Sequence, residues 1–161
     1  MTMLMRAAAV FLAVAGFATP LAARADDRHA GYYYPQPQSE ETYYARAQPL
    51  PESNRERRLG FVTGITQAQM QAPYPMQHVI FAKGDEAEKL IILALADGYM
   101  DTIYRARGIL AAMTAQARTT PIFADLDTDA SYTFFDLAVL LGFKQITISD
   151  GQSFAHQITF E

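Results

Sequence analysis

Apolar and polar positions change rhythm several times along this chain, and each change marks an expected element. After the first 25 residues, aliphatic side chains are nearly absent until about Arg58. Residues 59–65, LGFVTGI, form a short apolar run that reads as a strand, with Gly60 and Gly64 suggesting a bulge or a close backbone approach. Pro73-Tyr74-Pro75 interrupts the chain before a second strand at 78–83. Residues 90–95, LIILAL, are apolar at every position, the pattern of an inner strand buried on both faces.

The period then lengthens. Over residues 100–118, Ile103, Tyr104, Leu110, Met113 and Ala117 lie broadly along one helical face, with Asp101 near the start and Arg118 near the end to suit the helix dipole. Pro121 argues for a break, and 122–126 reads equally as a strand or an irregular connection. Ser131 is a candidate cap for a helix over 132–141, which Gly142 would end. Residues 145–149 alternate polar and apolar, Asp150-Gly151 follows, and 154–160 alternates again, the signature of a tight hairpin. Phe154, His156, Ile158 and Phe160 would share one buried face. The expected fold is α+β: a mixed β-sheet of about five strands with two helices packed on it, in the order β-β-β-α-α-β-β. A C-terminal strand left at the sheet edge would offer a surface for dimerisation.

The chain's start has a different logic. A positive residue, Arg6, precedes an apolar run over 7–21 and an Ala23-Arg24-Ala25 ending, the order of a cleavable export signal. The run is shorter than a membrane span and carries Gly16 and Pro20. Residues 1–25 are therefore expected to be a signal peptide and the product periplasmic, with no membrane span after cleavage. Residues 26–58, with Tyr32-Tyr33-Tyr34-Pro35-Gln36-Pro37 and Pro49-Leu50-Pro51, read as a flexible leader, and 59–161 as a single domain. Its tyrosines also suit docking to a protein or envelope partner. The chain has no cysteine, so neither a disulfide framework nor a cysteine-linked lipid is expected. The formal net charge is −4, and removal of Arg6 and Arg24 makes the product more acidic, which argues against nucleic acid as a partner.

Candidate chemistry is sparse. Asp125, Asp127, Asp129 and Asp136 stand at offsets that suit oxygen ligands of a calcium loop. Ala130 occupies the position where the sharp turn wants glycine, however, and Asp136 is shorter than the usual glutamate. A polar loop leading into the helix is the preferred reading of those aspartates. Ser149, Asp150, Ser153 and His156 cluster in sequence, but no nucleophile-elbow pattern surrounds either serine. His78 and His156 are the histidines of the expected domain; His156, among apolar residues on its strand face, is expected as a hydrogen-bonded core histidine, and Arg105 and Arg107 as solvated cations or, for Arg105, a partner of Asp101. No catalytic residue and no cofactor is assigned.

Leu59-Gly60-Phe61-Val62-Thr63-Gly64-Ile65-Thr66, Ile80-Phe81-Ala82-Lys83-Gly84-Asp85 and Tyr104-Arg105-Ala106-Arg107 together resemble a family of small exported alphaproteobacterial proteins labelled molybdopterin-guanine dinucleotide biosynthesis protein A. The resemblance implies export and, through the label, a factor or enzyme linked to that cofactor's assembly. The glycine-rich nucleotide loop with a following arginine, which guanylyltransferases of that name carry near their start, has no counterpart here. The leading expectation is a non-enzymatic binding or envelope-accessory protein.

Overall fold

A computed structural model describes residues 28–29, 32–124 and 126–161. The expected signal at 1–25 and Asp125 lie outside the described residues. Among the described residues the fold is α+β, with one mixed sheet of five strands and four helices. In chain order the elements are a short antiparallel pair, β1 (Arg28–His29) and β2 (Tyr32–Tyr33), then β3 (Ser39–Tyr43), α1 (Arg55–Gln71), β4 (His78–Lys83), β5 (Lys89–Ala94), α2 (Ile103–Arg118), α3 (Pro121–Ala124), α4 (Phe134–Leu140), β6 (Gln145–Ser149) and β7 (Ala155–Phe160). The large sheet runs β3-β7-β6-β5-β4. β4 pairs antiparallel with β5, β5 parallel with β6, β6 antiparallel with β7, and β7 parallel with β3. No helix among the described residues is long and apolar enough to cross a membrane.

The all-apolar run becomes β5, an inner strand buried along all but its first residue. Leu90, Ile92, Ile146, Ile148 and Ile158 join Phe61, Phe134, Leu137 and Leu141 of the helical layer in one core. On the opposite face, Tyr34, Gln36 and Pro37 line a cleft together with Ile91, Thr147 and Gln157. The inner strands are thus flanked on both sides, which their composition requires.

Several expectations are corrected. The apolar run at 59–65 is not a strand but the middle of α1. Asn54 caps that helix, its Oδ1 accepting from the Arg57 backbone N–H at 2.9 Å. Arg58, Phe61, Ile65 and Gln69 recur at three- and four-residue spacing and are the buried residues of the helix, a stripe that a seven-residue window truncates. Gly60 and Gly64 stand one turn apart where α1 meets the region of α3. A Cβ on Gly60 would lie 3.3 Å from Ile122, and one on Gly64 3.5 Å from Thr120. The glycines serve helix packing and not a bulge.

Within the expected leader, 26–58, β3 is a strand of the sheet, Ala47 is buried and the helix cap falls at Asn54. β7 is consequently an inner strand, and the sheet's edges are β3 and β4. The stretch 122–126 falls largely within helix α3. The helix predicted over 132–141 starts later, capped by Thr133 and not Ser131, with Thr133 and Asp136 forming a reciprocal capping box. Gly142 does end it, with φ of 78°. The β6–β7 connection spans 150–154, longer than a two-residue hairpin, because the Asp150 carboxylate gathers the backbone N–H groups of Gln152, Ser153 and Phe154 at 2.8–2.9 Å.

Candidate functional site

The edge strand β3 is polar, and its alternation puts Ser39, Glu41 and Tyr43 on one face. That face is held to the helices by one aromatic contact and by polar side chains. The Tyr43 ring lies 4.6 Å from that of Phe135 and 6.3 Å from that of Phe160, centroid to centroid. Its hydroxyl meets Thr133 Oγ1 at 3.1 Å and donates to Asp136 at 3.3 Å. Just beyond the strand, Arg46 reaches Asp136 twice, through its backbone N–H and its guanidinium, each at 2.9 Å, and also binds the Ser131 carbonyl.

Glu41 and Tyr43 form one wall of a cavity of about 480 Å³. Leu110, Ala111 and Thr114 of α2 form a second, and Tyr132 to Phe135 at the start of α4 a third. The lining is mostly hydrocarbon and aromatic. Arg107, which also lines the cavity, pairs with Glu41 at 2.5 Å. The hydroxyl of Thr114 is committed to the fold, donating to the Leu110 carbonyl at 3.1 Å and accepting from the Phe134 N–H at the same distance. A cavity of this size and character suits a small apolar ligand.

Beside this wall lies a short polar chain. Ser39 Oγ is 2.8 Å from His156 Nδ1, and His156 Nε2 is 3.6 Å from Glu41 Oε2. Serine, imidazole and carboxylate in that order invite a nucleophilic reading. The distances decide against it: 3.6 Å is not a hydrogen bond, and Glu41 is drawn 1.1 Å closer to Arg107. His156 Nε2 is buried and unbonded among the described residues. An imidazolium formed here would lack the bonded carboxylate that steadies it in a working triad. The cluster instead ties β3 to β7 across the sheet edge.

The calcium expectation is not assembled as a loop. Asp127 is exposed, and Asp129 accepts from the Ser131 N–H at 2.7 Å, a bond that holds its carboxyl below the usual range. Asp136 is fully buried and used elsewhere. Burial works to raise its carboxyl, but the backbone N–H groups of Thr133 and Arg46, with the side chains of the same residues, outweigh burial and hold it below the ordinary value. Both of its oxygens are occupied by protein donors. Among the described residues no group of three or more His, Asp or Glu side chains is gathered to hold a metal ion.

Nor do the hairpin residues meet His156. Ser149 Oγ donates to the Phe154 carbonyl at 2.7 Å and accepts from the Gly151 N–H at 2.9 Å, while Ser153 Oγ binds Asp150 at 3.0 Å. His78 lies at the other edge of the sheet, against Gln69. Arg105 pairs with Asp101 at 3.0 Å, as its spacing suggests. Ser39, Glu41, Tyr43 and Arg46 escaped the sequence reading, and Arg107, expected as a solvated cation, pairs with Glu41. The one signal for them was the alternation of Ser39-Glu40-Glu41-Thr42-Tyr43, masked by the proline-rich stretches on either side. No family model, curated protein or solved structure matches the chain.

Proposed function

We propose that this is an exported, periplasmic, non-enzymatic binding protein, and that its ligand is a small, largely apolar molecule held between β3, α2 and the start of α4. The cavity of about 480 Å³ lined by Leu110, Ala111, Phe134 and Phe135 carries the reading. The charge pattern of residues 1–25 supports export. The gap between His156 and Glu41 supports binding over catalysis.

Occupancy is tested with a hydrophobic fluorescent probe, 1-anilinonaphthalene-8-sulfonate, titrated into the native protein. Ala111 is exposed, so Ala111→Trp fills the cavity without disturbing the core. Saturable binding that falls at least about 10-fold in Ala111→Trp supports the site; equal binding by both proteins overturns it. Calorimetry with GTP is the counter-experiment, since clear nucleotide binding favours cofactor assembly. Export is tested by fractionation with mass analysis: a periplasmic product starting at Asp26 supports it, and an uncleaved cytoplasmic chain refutes it. A partner pull-down with a shortened leader must keep Ser39 onward, because β3 belongs to the sheet.

A further inference from the structure

Of the residues that line the cavity beside β3, only Arg107 of α2 and Glu41 of β3 carry a formal charge. The Arg107 side chain is 57% exposed and that of Glu41 26%, so the pair stands at the mouth and not in the depth of the cavity. Arg107 makes one hydrogen bond among the described residues, from Nη2 to Glu41 Oε2 at 2.5 Å. The other N–H groups of its guanidinium are left for water or a ligand, and a planar fork of that kind holds a carboxylate through two parallel bonds. The hydroxyls of Tyr43, Thr114 and Thr133 are already committed to the fold.

A ligand carboxylate at Arg107 adds negative charge beside Glu41, and the fold holds a group that can offset it. Glu41 Oε2 lies 3.6 Å from His156 Nε2, which is buried without a hydrogen-bond partner among the described residues. Ser39 Oγ meets the other ring nitrogen, Nδ1, at 2.8 Å. With Nδ1–H donating to Ser39, Nε2 holds the lone pair that takes up a proton. Imidazole is the side chain suited to that exchange near neutral pH. Once a ligand shares Arg107, Glu41 is released to close the gap and accept a charged bond from Nε2–H. Around the ring, β3 sets Ser39 and Glu41, β6 sets Ile148 opposite, and α2 sets Arg107 behind Glu41. The site can thus gain a positive charge next to Glu41, whereas Arg107 cannot lose its own. That asymmetry favours an anion over an amine.

We propose that the ligand of this cavity is an apolar carboxylic acid, bound as its anion, and that binding draws a proton onto His156. The carboxylate sits on Arg107 and the hydrocarbon lies among Leu110, Ala111, Phe134 and Phe135. No covalent bond of the ligand changes; the proton comes from solvent and returns to it on release. The inference rests on the reading of this cavity as a ligand site and names the class of ligand.

Octanoate, octanol and octylamine share one tail and differ in the head, and each is titrated calorimetrically into the native protein near neutral pH. Octanoate is expected to bind at least about 10-fold tighter than the other two, a ratio that corresponds to about 1.4 kcal/mol. Arg107→Gln should remove that preference and leave octanol binding unchanged. Octanoate titrations in phosphate and in Tris, which differ in heat of ionisation, should show about one proton taken up per ligand bound. Glu41→Gln should abolish that uptake. Equal affinity for octanol or octylamine, undiminished octanoate binding by Arg107→Gln, or absence of proton uptake overturns the proposal. Octanol binding that Ala111→Trp blocks would then leave the cavity reading standing. If none of the three binds, or Ala111→Trp binds them unchanged, the cavity reading itself fails and the proposal with it.

Discussion

The two edges of the sheet are built by opposite means. β4 is joined to β5 by a short turn, and six consecutive residue pairs, His78↔Ala94 through Lys83↔Lys89, align in register. Its inner face carries Ile80, buried in the common core. β3 pairs with β7, whose His156 stands 117 residues from Ser39, and its five residues contain no aliphatic side chain. It is held by Tyr43, by the Arg107–Glu41 pair, and by Arg46 just beyond its end reaching Asp136. A local hairpin closes a short loop and buries hydrocarbon, whereas β3 closes a long loop with directional polar contacts. The first edge is robust to salt and dependent on shape. The second depends on charge state, and it flanks the larger cavity.

Ile80→Ala is expected to have the largest effect. It leaves a void in the core and costs about 2–5 kcal/mol, seen as a lower urea midpoint for the whole fold, with both edges lost together. Asp136→Ala follows at about 2–3 kcal/mol, since it removes the α4 capping box and unpairs the anchor of Arg46. Amide exchange should rise more in β3 than in β4; equal protection in both would mean that the side-chain anchors do not hold the edge.

Acidification should separate the edges by pH. His78 has a folded pKa below its ordinary 6.5, because burial disfavours the imidazolium. The unfolded chain therefore binds the proton first, and the contribution of His78 is full above about pH 6.5 and declines as pH falls toward the lowered folded value. Asp136 has a folded pKa below its ordinary 3.8. Its contribution is full well above pH 3.8 and is lost only as pH falls through the folded value. Exchange at β4 should thus rise at mildly acid pH while β3 holds, and His78→Gln should abolish that early step. Early loss of β3 instead would reverse the assignment. The smallest effect belongs to Glu41→Gln, about 0.5 kcal/mol in low salt and close to zero in concentrated salt, because Arg107 is more than half exposed. A salt-independent loss would show that Glu41 acts by packing.

The accuracy of the sequence reading followed the range of the interactions. β5 was legible because six apolar residues in a row leave few alternatives to an inner strand. α2 was legible from its one-sided spacing, and Gly142 from the need for a positive φ after a helix. α1 was misread because Leu59 to Ile65 is too short a window to tell a strand from a buried helix. Its stripe becomes clear only with Arg58 and Gln69, both polar and both buried. Arg58 tolerates burial by donating to the carbonyls of Glu86 and Leu141, which lie far along the chain. The aspartate spacing shows the same limit. Asp136 stands at a ligand's spacing from Asp125, but Arg46, 90 residues earlier, takes its charge.

The sequence alone determined the α+β class, the inner strand β5 and the α2 helix, together with the expectation of an export signal. These rest on hydrophobic period and on backbone chemistry within a few residues. Only the tertiary structure decided that β3 joins the sheet, that a cavity lies beside it, and that Gln69 and His78 meet. The first two depend on pairs separated by long stretches of chain, and the third on how the end of α1 turns back onto β4. Whether a polar side chain is solvated or buried with a partner is set by what folds against it, and no local pattern records that.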